Sequence, residues 1–201
     1  MNKKSSSNRI IFVDFNGVIS YKNFWYTLEK NDKTAYDNIN QTLFVSNFEL
    51  VKSWMLGKNT SQEICEYLSL KLSLDYDYIY NSLVESCKKI DLSINIKNAL
   101  QRLKELYKII LVTDNMDCFS DFIVKYNSDY FQIFDDIFNS SENGYFKNEV
   151  YFKFIEKYNT KINLSYLIDD SIKNCEIFNN LWWKAFNVKW ETEVLQVLKW
   201  I

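Results

Sequence analysis

The chain has 201 residues, 47% apolar and 25% charged, with a formal net charge of -2, enough to bury one core domain with a modest insertion. That near-neutral balance gives no electrostatic reason to expect nucleic acid or an anionic membrane as a partner. Histidine is absent, which excludes Ser-His-Asp and Cys-His triads, H-E-x-x-H zinc sites and any imidazole base; acid–base chemistry falls to carboxylates, lysine, tyrosine or a metal-bound water.

Residues 1–8 are polar with no apolar stretch, and read as a frayed tail rather than a signal peptide. The run Arg9 to Val13 is β-branched and apolar, as a buried parallel strand should be, and leads into Asp14-Phe15-Asn16-Gly17. From about residue 21 to 91 the texture is helical and aromatic-rich, without a convincing strand. Within it Thr60-Ser61-Gln62-Glu63 resembles a capping box opening a helix through Leu70, and Asp75 to Lys89 reads as another helix. Its aromatics Phe24, Trp25, Tyr26, Trp54, Tyr67, Tyr76 and Tyr78 are expected to pack, with one or two facing a substrate pocket.

After Ser93 helices and strands alternate. A helix with Ile96, Leu100, Leu103 and Leu106 on one face precedes a strand at Lys108 to Val112. A helix over Asp117 to Tyr126, a short strand at Asp136 to Phe138, a turn at Gly144 and a helix from about Asn148 to Tyr158 follow. The strand Tyr166 to Ile168, a helix from Ile172 to Leu181, the strand Lys184 to Val188 and a last helix complete the pattern. This order predicts an α/β fold: a three-layer, Rossmann-like core with a parallel sheet, and a helical insertion after the first strand. Apolar runs such as Ile109 to Val112 are too short to span a bilayer. Cys65, Cys87, Cys118 and Cys175 show no C-x-x-C spacing and suit reduced thiols in a cytoplasmic protein.

Ligands of open α/β sheets bind at the carboxyl ends of the strands. Asp14 and Asn16 end the first strand, Thr113 the second, and Asp169-Asp170 a later one, with Lys147 on an intervening loop. Carboxylates suit Mg²⁺, and a lysine with a hydroxyl suits phosphoryl oxygens.

The segments Ile-Ile-Phe-Val-Asp14-Phe-Asn16-Gly17-Val, Ile-Ile-Leu-Val-Thr113-Asp-Asn, Gly144-Tyr-Phe-Lys147-Asn-Glu and Tyr-Leu-Ile-Asp169-Asp170-Ser resemble, in order, the four motifs of the haloacid dehalogenase-like (HAD) hydrolases. Asn174, a few residues past the acidic pair, also matches a habit of the family. The resemblance covers residues 9–20 and 92–201 as the core, and residues 21–91 look like a C1-type helical cap. It implies a hydrolase in which Asp14 is the nucleophile and a Mg²⁺ ligand, with further ligands from the Asn16 carbonyl, Asp169 and Asp170. Thr113 and Lys147 would hold the phosphoryl group of a small phosphorylated molecule, with Asp114 and Asn115 beside it. Lys153 lies a turn too far from Gly144 to take the lysine role.

The match departs at Asn16, where phosphatases of the family carry the aspartate that protonates the leaving group and activates water. Its loss costs about 10²–10⁴ in rate. The implied activity is a slow or specialised phosphohydrolase or phosphotransferase. Alternatives are a phosphate-binding protein without turnover, or dehalogenase-like or phosphonatase-like chemistry. Smaller departures are Asp114 after Thr113, Asn148 after the lysine and Trp182 after a late helix.

Overall fold

The computed structural model describes residues 9–181 and 183–201; the tail at residues 1–8 and the Trp182 departure lie outside the described residues. Among those described, five strands form one sheet: β1 (Ile10–Val13), β2 (Lys108–Thr113), β3 (Asp136–Asn139), β4 (Ser165–Asp169) and β5 (Lys184–Asn187). All neighbours are parallel, in the order β3-β2-β1-β4-β5. The register sets Val13 beside Leu111 on one flank and Ile168 on the other, so β4 runs one residue and β2 two residues beyond the level at which β1 ends. The chain leaves β1 toward β2 and β3, then returns to the opposite flank for β4, which makes the gap between β1 and β4 the point where the winding reverses.

Strand alternation divides the core into two layers. Ile11, Val13, Ile109, Leu111 and Ile168 face one layer, with Ile96 and Leu100 of the helix Ile94–Leu103 and Val194 and Leu198 of the helix Glu191–Trp200. Ile10, Phe12, Ile110, Val112 and Leu167 face the other, against Tyr151, Phe154 and Ile155 of the helix Tyr151–Lys157 and Phe178 of the helix Ile172–Asn180. All four β1 residues are fully buried, each worth about 1.5–3 kcal/mol of apolar transfer. The expected strand positions hold.

The expected helix over Asp117 to Tyr126 forms, but widens to π geometry across Phe119–Val124. The one expected from Asn148 begins later: Lys147–Glu149 is a single tight turn, and the α-helix starts at Tyr151. The four cysteines are free and buried.

Between β1 and β2 the chain carries helices at Lys33–Asn40, Phe48–Met55, Ser61–Leu72 and Tyr76–Lys88, with a π turn at Gln41–Val45. The capping box at Thr60 and Glu63 is present, with the Thr60 amide donating to Glu63 Oε2 at 2.7 Å and the Glu63 amide to Thr60 Oγ1 at 3.2 Å. Trp25 and Trp54 are fully buried and join the core layer that the sheet shares with this insertion.

Three contacts fasten the insertion over the carboxyl ends of β2 and β3. Asp117 accepts from Trp54 Nε1 at 2.7 Å, Ser61 Oγ at 2.6 Å and the Ser61 amide at 2.8 Å. A carboxylate at the first turn of Ser61–Leu72 also meets the positive end of that helix. Ser140 Oγ donates to the Met55 carbonyl at 2.7 Å. Gly57, at φ +67°, lies so near the short helix Ser140–Asn143 after β3 that a Cβ would stand 2.1 Å from the Ser141 carbonyl oxygen.

Candidate active site

The side chains that follow β1, β2 and β4 converge at the reversal point. The Asp14 amide donates to the Ile168 carbonyl at 2.9 Å, continuing the ladder one residue past β1 and fixing where the carboxylate emerges. Its Oδ1 accepts from the Phe15 amide at 2.8 Å, and its Oδ2 lies 2.8 Å from Lys147 Nζ. Lys147, 3% exposed, also reaches Asp169 Oδ2 at 2.8 Å, so one buried ammonium bridges the ends of β1 and β4. Asp169 is fully buried, and its Oδ1 accepts from the Ser171 amide at 2.8 Å and from Asn174 Nδ2 at 3.2 Å. The Asn174 position noted in the sequence thus holds the acidic pair from the helix behind it.

Gly17 allows the third carboxylate, that of Asp170, to come close. Its φ is +73°, and a Cβ there would sit 2.3 Å from Asp170 Oδ2, so both the backbone conformation and the approach of Asp170 require glycine. Carboxylate oxygens of Asp14, Asp169 and Asp170 all lie within 4.8 Å of one another.

Thr113 is buried at the end of β2, and its Oγ1 accepts from Asn115 Nδ2 at 3.4 Å. Asn115 is more tightly built in: its amide donates to Ser140 Oγ at 3.0 Å, and Nδ2 donates to Asn16 Oδ1 at 2.9 Å. Asn16 is therefore an oriented side chain, held from β2's loop at the mouth of the site. Asp114 Oδ1 accepts from the Lys147 backbone amide at 2.7 Å, which ties the β2 loop to the lysine turn. All eight residues singled out in the sequence lie in or beside this one cluster. Lys153 instead lies over the Tyr145 ring at 3.9 Å.

The electrostatics follow from burial. Desolvation raises the Asp14 pKa from 3.8 to about 7; the Lys147 charge opposes this and Asp169 adds to it. Burial pulls the Lys147 pKa down, but Asp14 and Asp169 more than reverse it, and the net shift is upward. Asp114 is raised by desolvation against the pull of Lys147, and Asp170 by desolvation and Asp169. Three carboxylates thus face one ammonium. That excess of negative charge, on hard oxygen donors within reach of a common point, fits a divalent cation of the Mg²⁺ type.

A cavity of about 420 Å³ opens beside the cluster, within the size range of small-molecule sites. Asn16, Asp114, Asn115 and Met116 form its core side, and the insertion closes it with Phe24, Phe44, Phe48, Val51 and Met55. Of the aromatics expected to pack, Phe24 is one that faces this cavity, while Trp25 and Trp54 are core. Phe44, Phe48 and Asp117 escaped sequence reasoning. Phe44 lies in the π turn, where a 3.6-residue period loses its face. Asp117 could have been sought as an unexplained acid at the start of a helix.

No family model and no curated protein matches the sequence. Solved structures do match. A protein described as a predicted HAD-like family hydrolase from Porphyromonas gingivalis aligns at a TM-score of 0.71 and 17% identity, over 95% of this chain and 98% of that one. A HAD family enzyme from Bacteroides thetaiotaomicron, solved with magnesium and inorganic phosphate, aligns at 0.64 and 16% identity, over 89% and 93%. An L-2-haloacid dehalogenase from Xanthobacter autotrophicus with chloropropionic acid covalently bound aligns at 0.63 and 12% identity, over 90% and 77%. At these identities the likeness establishes the fold.

Proposed function

We propose that this chain, which has the HAD-like fold, is a Mg²⁺-dependent phosphohydrolase or phosphotransferase that works through an aspartyl-phosphate at Asp14, with residues 21–91 as its cap. The observation that carries the reading is the buried Lys147 ammonium, 2.8 Å from both Asp14 Oδ2 and Asp169 Oδ2 at the point where the winding reverses. The magnesium-and-phosphate complex of the Bacteroides thetaiotaomicron enzyme supports it through the shared fold.

Asp14, Asp169, Asp170 and the Asn16 carbonyl would hold the metal. When bound, it would offset the charge of the cluster and of the phosphoryl oxygens. Lys147, held charged by its two carboxylates, orients Asp14 Oδ2 and supplies positive charge to a phosphoryl oxygen. The Thr113 hydroxyl, whose oxygen accepts from Asn115, keeps its own hydrogen to offer at the same strand ends.

Asp14 attacks phosphorus as the bond to the leaving oxygen breaks, and the electron pair departs with that oxygen. Water then cleaves the aspartyl-phosphate, returning the Asp14 carboxylate and inorganic phosphate. Asn16 cannot exchange a proton in either half, because its carboxamide is neutral and its Oδ1 already accepts from Asn115. Leaving groups that depart without protonation, such as acyl or aryl oxygens, are therefore the substrates of choice, and loss of a general acid–base lowers the rate on alkyl esters by about 10²–10⁴. Carbon–halogen cleavage is less well served. A haloacid carboxylate entering this site meets three carboxylates and one ammonium already paired with two of them.

The test is turnover of acetyl phosphate and p-nitrophenyl phosphate with Mg²⁺, for wild type and Asp14→Asn. Turnover in wild type only is expected. Equal rates in both proteins would remove Asp14 from the chemistry. Halide release from haloacids without Mg²⁺ would establish the dehalogenase reading instead.

A further inference from the structure

The cavity beside the cluster has an unusual charge make-up for a site that takes a phosphorylated ligand. Its core side presents Asn16, Asp114 and Asn115; the insertion adds Asn23 and Asn40 and an apolar wall that includes Phe24, Phe44 and Phe48. Among the described residues, no lysine or arginine lines it, and its one ionisable member is the carboxylate of Asp114. Lys147, the cation of the cluster, is buried outside this lining and paired with Asp14 and Asp169. Any second negative charge on a ligand would lose its water against a carboxylate and phenylalanine rings with no counter-ion, and burial of an unpaired charge is strongly unfavourable.

The same walls suit other groups. Asn16 holds Asn115 through its oxygen, which leaves its amide hydrogens for a ligand oxygen. Asn40 donates its amide nitrogen to the Tyr36 carbonyl at 2.8 Å, leaving its oxygen to accept from a hydroxyl or ammonium. Asp114 has one oxygen on the Lys147 amide and a second one free. Phenylalanine faces attract a cation and tolerate a neutral apolar group.

We propose that this cavity selects small phosphorylated compounds whose organic part is neutral or cationic, and rejects those bearing a second phosphate or a carboxylate. The inference rests on the proposed function for the seat of the phosphoryl group. The residues that set the selection are the acid Asp114, the carboxamides Asn16 and Asn40, and the phenylalanines of the insertion, with Phe48 at the rim, 63% exposed.

The experiment is calorimetric titration of the Mg²⁺-loaded protein with three benzylphosphonates of matched shape, carrying para-methyl, para-aminomethyl or para-carboxyl groups. Inorganic phosphate is titrated in parallel. The methyl and aminomethyl compounds should bind at least about tenfold more tightly than the carboxyl compound. Phe48→Arg, a change at an exposed position, should recover most of that difference for the carboxyl compound. Equal or tighter binding of the carboxyl compound to wild type overturns the proposal, as does failure of all three compounds while phosphate binds. If phosphate itself does not bind, the phosphoryl site is refuted and the substrate class falls with it.

Discussion

Replacing Lys147 with methionine removes the ammonium in contact with two buried carboxylates. Asp14 is 6% exposed and Asp169 fully buried, and each has an oxygen 2.8 Å from Nζ. Breaking a buried pair by deleting one partner costs about 3–5 kcal/mol, because the charge left behind has lost its counter-ion and is shut off from water. In a domain of this size that corresponds to a fall in Tm of roughly 6–20 °C. The loss also has a pH signature. Asp14 in the folded protein titrates at about 7 against 3.8 for the unfolded chain. Between those values the folded chain keeps a proton that the unfolded chain has released, so this group lowers stability as pH rises through the window. Without Lys147 the opposing pull is gone, the folded pKa moves higher, and the penalty continues to grow above 7. Urea unfolding of metal-free Lys147→Met and wild type at pH 5 and pH 8 should give the larger difference at pH 8. Saturating Mg²⁺ should return part of it. A loss below about 1 kcal/mol, equal at both pH values, would refute the idea that Lys147 neutralises the cluster.

Asn16→Asp should keep the acceptor that Asn115 Nδ2 uses, fold with little change in Tm, and raise turnover of alkyl phosphates by about 10²–10⁴; an unchanged alkyl rate counts against the role assigned to this position. Gly17→Ala places a methyl group 2.3 Å from Asp170 Oδ2 at positive φ. Mg²⁺ affinity measured by calorimetry should fall by about tenfold or more, and an unaltered affinity would separate Asp170 from the metal. Asp117→Ala leaves Trp54 Nε1 and both Ser61 donors without their acceptor, for a loss of about 2–4 kcal/mol in chemical denaturation. A near-neutral result would mean that Asp117 does not hold the insertion.

What the sequence disclosed was what is periodic or chemically concentrated. The strand at Ile10–Val13 is a short β-branched run buried on both sides, and the acids and the threonine at strand ends stand out because apolar strands precede them. Contacts between distant, ordinary residues left no local trace. Asp117 reads as a helix-start acid, yet its partners lie more than fifty residues away in Trp54 and Ser61. The Asn16–Asn115 bond joins loops 99 positions apart. Gly57 looks like any turn glycine until Ser141 is seen against it. Helix boundaries shifted where the ladder leaves the α period, in the π segments and in the tight turn at Lys147. The cavity wall was illegible for the same reason, since a phenylalanine in a helical insertion looks alike whether it packs or faces a ligand.

The most direct test of the central claim is intact-mass analysis of protein quenched in acid after incubation with Mg²⁺ and acetyl phosphate. Asn16 provides no base for hydrolysis, so the aspartyl-phosphate should accumulate in wild type, map to the peptide that contains Asp14, and be absent from Asp14→Asn. Acetyl phosphate consumed by wild type with no phosphoryl adduct at Asp14, or the same adduct on Asp14→Asn, would contradict the account.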